Sequence, residues 1–74
     1  DRPLIASVTP GGPAQRAGLE VGDLVLGFNG VKITTFEELR LGVEASMPGD
    51  VIILTIQRDD QVVRIPITVG VLEN

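Results

Sequence analysis

Pro10-Gly11-Gly12-Pro13-Ala14-Gln15-Arg16-Ala17-Gly18-Leu19-Glu20-Val21-Gly22-Asp23 dictates a backbone course more tightly than any other part of this sequence. Pro13 can open a helix, because its missing N–H falls where no intrahelical bond is needed. Ala14 to Ala17 can carry a single helical turn, and Gly18 suits the left-handed residue that ends one. Leu19 then sits just past the cap, where it can pack back onto the helix. A glycine–proline turn precedes this unit, and a second turn at its end feeds a strand. None of these side chains is chemically reactive, so the stretch speaks for a scaffold.

Leu24-Val25-Leu26-Gly27-Phe28 reads as that strand. It runs into Asn29-Gly30, the strongest two-residue hairpin signal, because both residues tolerate positive φ. Val31-Lys32-Ile33 would then pair back briefly. Upstream, Leu4 to Thr9 is short, apolar and bounded by prolines, and also reads as a strand. Downstream, Thr35 with Glu38 fits a capping box, and Thr34 with Glu37 offers a competing one. Glu37 and Glu38 lie in the first turn of the helix so started, where its dipole favours anions. Within Phe36 to Ala45, the residues Phe36, Leu39 and Val43, with Leu41 beside them, give an apolar face at helical spacing. Gly42 costs this helix roughly 1 kcal/mol against Ala, which points to close packing or to a helix that shifts. Met47-Pro48-Gly49-Asp50 ends it.

Val51 to Arg58 and Gln61 to Val71 are rich in Val, Ile and Thr and are separated by Asp59-Asp60, so they read as the longest hairpin. Pro66 in its second arm predicts an edge position or a bulge. The expected order is strand, short helix, strand, short strand, helix, strand, strand. No internal repeat or low-complexity segment is visible.

Composition narrows the function. A chain of 74 residues reads as a single domain, which buries only about 60% of its unfolded surface. Ten acidic against six basic residues give a net charge of −4, with the cations scattered from Arg2 to Arg64. A nucleic-acid surface needs clustered Lys and Arg with stacking aromatics, and only Phe28 and Phe36 are aromatic here. Cysteine is absent, which removes disulfides and thiolate metal sites without fixing a compartment. The longest apolar run falls far short of the ~20 residues that span a bilayer. No signal peptide is visible, and with Asp1 at its start the sequence reads as part of a longer chain.

Catalytic chemistry is missing. With no His, Cys or Tyr, no Ser–His or Cys–His nucleophile system can be built. Ser7 and Ser46 have no base and read as ordinary strand or loop residues. Asp59 and Asp60 read as a solvated turn, since loop-type calcium sites need several spaced oxygen ligands. Gly11, Gly12, Gly22, Gly27 and Gly30 are turn residues, because no Gly-Lys-Ser/Thr follows to make a phosphate loop. Glu37 and Glu38 are adjacent on a helix and point in different directions, a poor acid/base pair. No catalytic residue, metal or cofactor is expected, and binding is what remains.

Val8-Thr9-Pro10-Gly11-Gly12-Pro13-Ala14, Ala17-Gly18-Leu19, Val21-Gly22-Asp23-Leu24-Val25-Leu26 and Asn29-Gly30 together resemble the centre of a PDZ domain. Thr35-Phe36-Glu37-Glu38-Leu39 and Pro48-Gly49-Asp50-Val51 continue the match, so the resemblance covers essentially the whole chain. The C-terminal hairpin, turning at Gln57-Arg58-Asp59-Asp60-Gln61, is similar to the circularly permuted bacterial form. The resemblance implies an α+β, mostly β fold: a small, partly open barrel or sandwich of about five strands with one short and one longer helix. Such domains are appended to HtrA/DegP-type serine proteases, site-2-type intramembrane zinc metalloproteases and C-terminal processing proteases.

The family implies peptide capture by strand addition, with an extended and often apolar C-terminus laid against the longer helix and its carboxylate held by a glycine-containing loop. By register with the family helix, Phe36, Arg40 and Val43 would face the groove and Leu39 the core. Phe36 and Val43 would form an apolar pocket, and Arg40 could meet an acidic side chain or a carboxylate. Helical spacing alone favours the other reading, in which Phe36 and Val43 are core and Arg40 is solvated. In the permuted form, the carboxylate-binding loop and the strand that pairs with the peptide lie just before the segment matched by Leu4 to Thr9. Only Asp1-Arg2-Pro3 precede it, and no Gly-φ-Gly-φ segment (φ apolar) can be matched. The expectation is thus a domain that starts after this loop or has an altered groove, leaving an exposed apolar strip as a self-association surface.

The resemblance also implies an extracytoplasmic, periplasmic or envelope location. The expected partners are C-terminal or unfolded segments of substrate proteins and the protease domain of the same parent chain. An HtrA-type parent is favoured by the ending Val62 to Gly70, and a Gly-Asn-Ser-Gly-Gly motif upstream would support it. A His-Glu-x-x-His motif in an apolar segment would favour the metalloprotease instead. A parent without either would make this a non-enzymatic assembly module, for example in a secretion machine.

Overall fold

A computed structural model of the chain describes residues 2–70. Its elements are α1 (Pro13–Ala17), β1 (Leu24–Phe28), β2 (Val31–Lys32), α2 (Phe36–Ala45), β3 (Val51–Arg58) and β4 (Gln61–Thr68). The strands form one antiparallel sheet in the order β2-β1-β3-β4. This is the expected α+β architecture with the short and the longer helix both present, built on one open four-stranded sheet where about five strands were expected.

The local signals hold where they are local. Pro13 opens α1, and Gly18 ends it at φ 100°. The Gly18 N–H donates to Gln15 O and the Leu19 N–H to Ala14 O, both at 3.0 Å. These two bonds make a Schellman cap, and they fold Leu19 back into the core. Asn29 and Gly30 take φ of 51° and 84° and turn β1 into β2.

Alternation along β3 sends Ile52, Leu54 and Ile56 inward, where they meet Val25 of β1 and Ile65 and Ile67 of β4. Ile5, Leu19, Ile33 and Leu39 close this core from the loops and α2. Pro66 occupies an edge strand, as its residue type predicts, and the ladder shows why it is tolerated. The Ile53 N–H donates to Asn29 Oδ1 at 2.7 Å, and Ile53 O accepts from the Asn29 N–H at 2.8 Å. The polar groups of Ile53 therefore face β1. Its partner across the β3–β4 pair, Pro66, must turn its N–H-less nitrogen to the open edge.

Three expectations need correction. Leu4 to Thr9 is not a strand: only Leu4 forms a bridge, to Leu24. Ile5 exchanges hydrogen bonds with the turn beside it, donating to Asp23 O and accepting from the Gly22 N–H, both at 2.9 Å. Beyond Ile5 the segment runs past no partner among the described residues, and an apolar run without a neighbour makes no ladder. Gly27 is not a turn residue: it sits inside β1, paired with Lys32 and with Thr55, and the β1–β3 register shifts just before it, at Leu26. The last arm of the hairpin ends at Thr68, and Val71 lies outside the described residues.

Candidate functional site

The longer helix is started by a complete capping box. Thr35 Oγ1 accepts the Glu38 N–H at 3.2 Å, and Glu38 Oε1 accepts the Thr35 N–H at 3.1 Å. Glu38 Oε1 also accepts from the N–H and the hydroxyl of Thr34, each at 2.9 Å. Of the two competing boxes, Thr35–Glu38 is therefore the one formed, and Thr34 joins it rather than pairing with Glu37. These bonds, led by the Thr34 N–H, hold the Glu38 carboxyl below the usual carboxylate range.

The helix is seated by few contacts. Leu39 is its one buried residue. Gly42 lets it approach β1, because a Cβ there would stand 3.2 Å from the Phe28 ring. Of the two readings of Gly42, close packing is the one observed.

At 100° per residue, Phe36, Arg40 and Val43 fall on one stripe of α2, turned away from the Gly42 side. Phe36 is 47% exposed and Val43 42%. Neither belongs to the core, so of the alternative that spacing favoured only the solvated Arg40 is observed, its side chain being half exposed. A shallow depression beside them is lined by Thr35, Phe36, Glu37 and Arg40, all from α2 and its cap. Leu41 is not on this stripe. It lines a second shallow groove with Phe28, Val31 and Ile33, on the far side of the helix.

Arg40 is not a free cation. Its Nη1 donates to Glu44 Oε2 at 2.6 Å, and its Nη2 donates to Glu37. The i, i+3 and i, i+4 spacings of these residues were a legible signal for this network.

A second charged cluster was not legible. Asp23, 1% exposed, takes both oxygens to Arg58: Nε to Oδ1 at 2.9 Å and Nη2 to Oδ2 at 2.7 Å. Asp23 Oδ2 also accepts the Glu20 N–H at 2.8 Å, and Arg58 Nη2 reaches Gly18 O at 2.9 Å. The Arg58 hydrogen bonds hold the Asp23 carboxyl below its ordinary value against the opposing effect of burial, and Asp23 in turn raises Arg58. This clamp ties the turn after α1 to the end of β3. Both Asp23 oxygens are engaged within the fold, and Arg58 Nη1 lies 3.4 Å from Glu20 Oε2 as an ion pair, which makes the cluster a structural element.

Among the described residues, no three His, Cys, Asp or Glu side chains converge as a metal site, and no helix is long and apolar enough to cross a membrane.

The family described as PDZ domain matches residues 4–58, more than half of the chain. A Chlamydia trachomatis protein provisionally named a DegP-like periplasmic serine endoprotease is 35% identical over 66 residues, covering 89% of this chain and 13% of that protein. A Brucella suis protein provisionally named a zinc metalloprotease is 43% identical over 61 residues, covering 82% of this chain and 16% of its own length. The chain thus spans less than a fifth of these two relatives. Among solved structures, the HtrA-type protease AlgW with a decapeptide superposes with a TM-score of 0.86 at 28% identity, covering 96% of this chain and 22% of that one. The HtrA3 PDZ domain bound to a phage-derived ligand, FGRWV, superposes with a TM-score of 0.75 at 27% identity, covering 85% and 58%.

Proposed function

Because this chain belongs to the PDZ domain family, we propose that it captures an extended, apolar C-terminal peptide along the open stripe of α2. In this reading Phe36 and Val43 bury their exposed surface against the peptide, and Arg40 with its two carboxylates borders the site. The observation that carries it is the pair of half-exposed apolar side chains, Phe36 and Val43, on one stripe of a firmly capped helix. Covering such surface contributes about 25 cal/mol per Å², so two side chains supply weak, selective binding rather than tight capture. The two peptide-bound neighbours support a peptide as the occupant.

Within a longer parent, the module would recognise substrate for, or regulate, a protease domain of the same chain. An extracytoplasmic HtrA-type serine protease is the leading reading, in line with the periplasmic serine endoproteases among the relatives. A site-2-type zinc metalloprotease is the second, and the 43% identity to the Brucella protein favours it. A Gly-Asn-Ser-Gly-Gly or a His-Glu-x-x-His motif in the parent decides between them.

Titration of ¹⁵N-labelled chain with FGRWV tests the docking face. The largest amide shifts are expected at Phe36, Arg40 and Val43 and their neighbours in α2. Shifts confined to the β3–β4 hairpin, with α2 silent, would overturn the assignment.

A further inference from the structure

The charge beside Phe36 and Val43 is the opposite of what Arg40 alone suggests. Glu37 and Glu44 both engage its guanidinium, so two carboxylates against one cation leave the stripe with a net negative charge. The other cations stand elsewhere: Arg58 is committed to Asp23, while Arg2, Arg16, Lys32 and Arg64 lie before β1, on α1, on β2 and on β4. We propose that this stripe selects peptides carrying a basic side chain and disfavours those carrying an acidic one, with Glu37 and Glu44 as the selecting groups. The inference rests on α2 being the peptide face.

The selection rests on like charge. Arg40 keeps three of its five N–H donors, but an acidic peptide side chain that reaches them stands beside both Glu37 and Glu44, and like charges at this range repel. A Lys or Arg meets the net negative charge of the cluster instead. Each glutamate holds Arg40 through Oε2 and has its second oxygen for an incoming donor. All three side chains are exposed, so the selection is modest and sensitive to salt.

The probes are FGRWV and the same peptide with Glu in place of Arg, FGEWV. The chain has no tryptophan, so the peptide's own fluorescence reports binding without background. At low salt FGRWV is expected to bind about fivefold more tightly than FGEWV, with the ratio falling toward one in 0.5 M salt. Replacing both selecting groups, Glu37→Gln with Glu44→Gln, leaves Arg40 alone and reverses the preference. Asp59→Asn with Asp60→Asn makes the same change in net charge at the far hairpin and keeps the preference, which separates local selection from the overall charge of −4. FGEWV binding as tightly as FGRWV, while α2 still shifts on titration, overturns the selection and leaves the docking face standing. Neither peptide shifting α2 overturns the docking face, and the selection with it.

Discussion

Replacing Asp23 by Ala is expected to lower the unfolding free energy by about 3 kcal/mol at neutral pH, measured by urea denaturation. Three donors lose their acceptor at once: Arg58 Nε, Arg58 Nη2 and the Glu20 N–H. The turn after α1 loses its tie to the end of β3, and water cannot easily replace a carboxylate that is 1% exposed. Asp23→Asn keeps one oxygen for the Glu20 N–H and is expected to cost less. The effect also carries a sign with pH. The folded carboxyl lies below its unfolded value. Its contribution is therefore complete above the unfolded value and is lost as pH falls through the folded one. The gap between wild type and Asp23→Ala should narrow in acid. A gap that stays constant or widens as pH falls would show that the clamp is not the source of the loss.

Ile56→Ala is expected to cost about 4 kcal/mol, toward the upper part of the range for large-to-small changes in a core. Ile56 is fully buried, and β3 lies between β1 and β4, so neither neighbouring strand can move in to fill the void. Val25 and Val63 pair with it across the sheet. A domain of this size has roughly 4–10 kcal/mol in total, so the variant should be largely unfolded at temperatures where the wild type is folded. Ile53→Ala, on the opposite face of the same strand and 37% exposed, should cost well under half as much. Equal losses at the two positions by thermal melting would contradict the layering described above.

The parts of this fold that were legible in the sequence are those whose cause is local. Pro13 and Gly18 bound a helix through backbone preferences of their own, and Asn29-Gly30 turns a hairpin for the same reason. Thr35 and Glu38 find each other because they are three residues apart. Leu4 to Thr9 misled because its composition suits a strand, while a strand also needs a partner, and partners are not a property of the segment. The Asp23–Arg58 clamp was out of reach for a related reason: 35 residues separate its members, and only the finished sheet brings them together. Gly42 left close packing and a helix that shifts both open, and the Phe28 ring against it shows the packing.

The candidate site was half legible. Spacing put Phe36, Arg40 and Val43 on one stripe, but a stripe at helical period reads alike whether it faces a core or an open surface. Exposure decides between the two, and exposure depends on what the rest of the chain packs against α2. The ion pairs of Arg40 went unread because it was weighed alone, although Glu37 and Glu44 stand at the spacings that pair with it.

The most direct test of α2 as the peptide face is the affinity of Phe36→Ser for FGRWV, set beside its melting temperature. Phe36 lies outside the core and Ser adds no charge, so the fold and the electrostatics of the stripe stay as they are. Loss of a central apolar contact should weaken binding about tenfold, which corresponds to ~1.4 kcal/mol, while the melting temperature stays within a few degrees. Unchanged affinity in a variant that melts like the wild type would place the peptide somewhere other than α2.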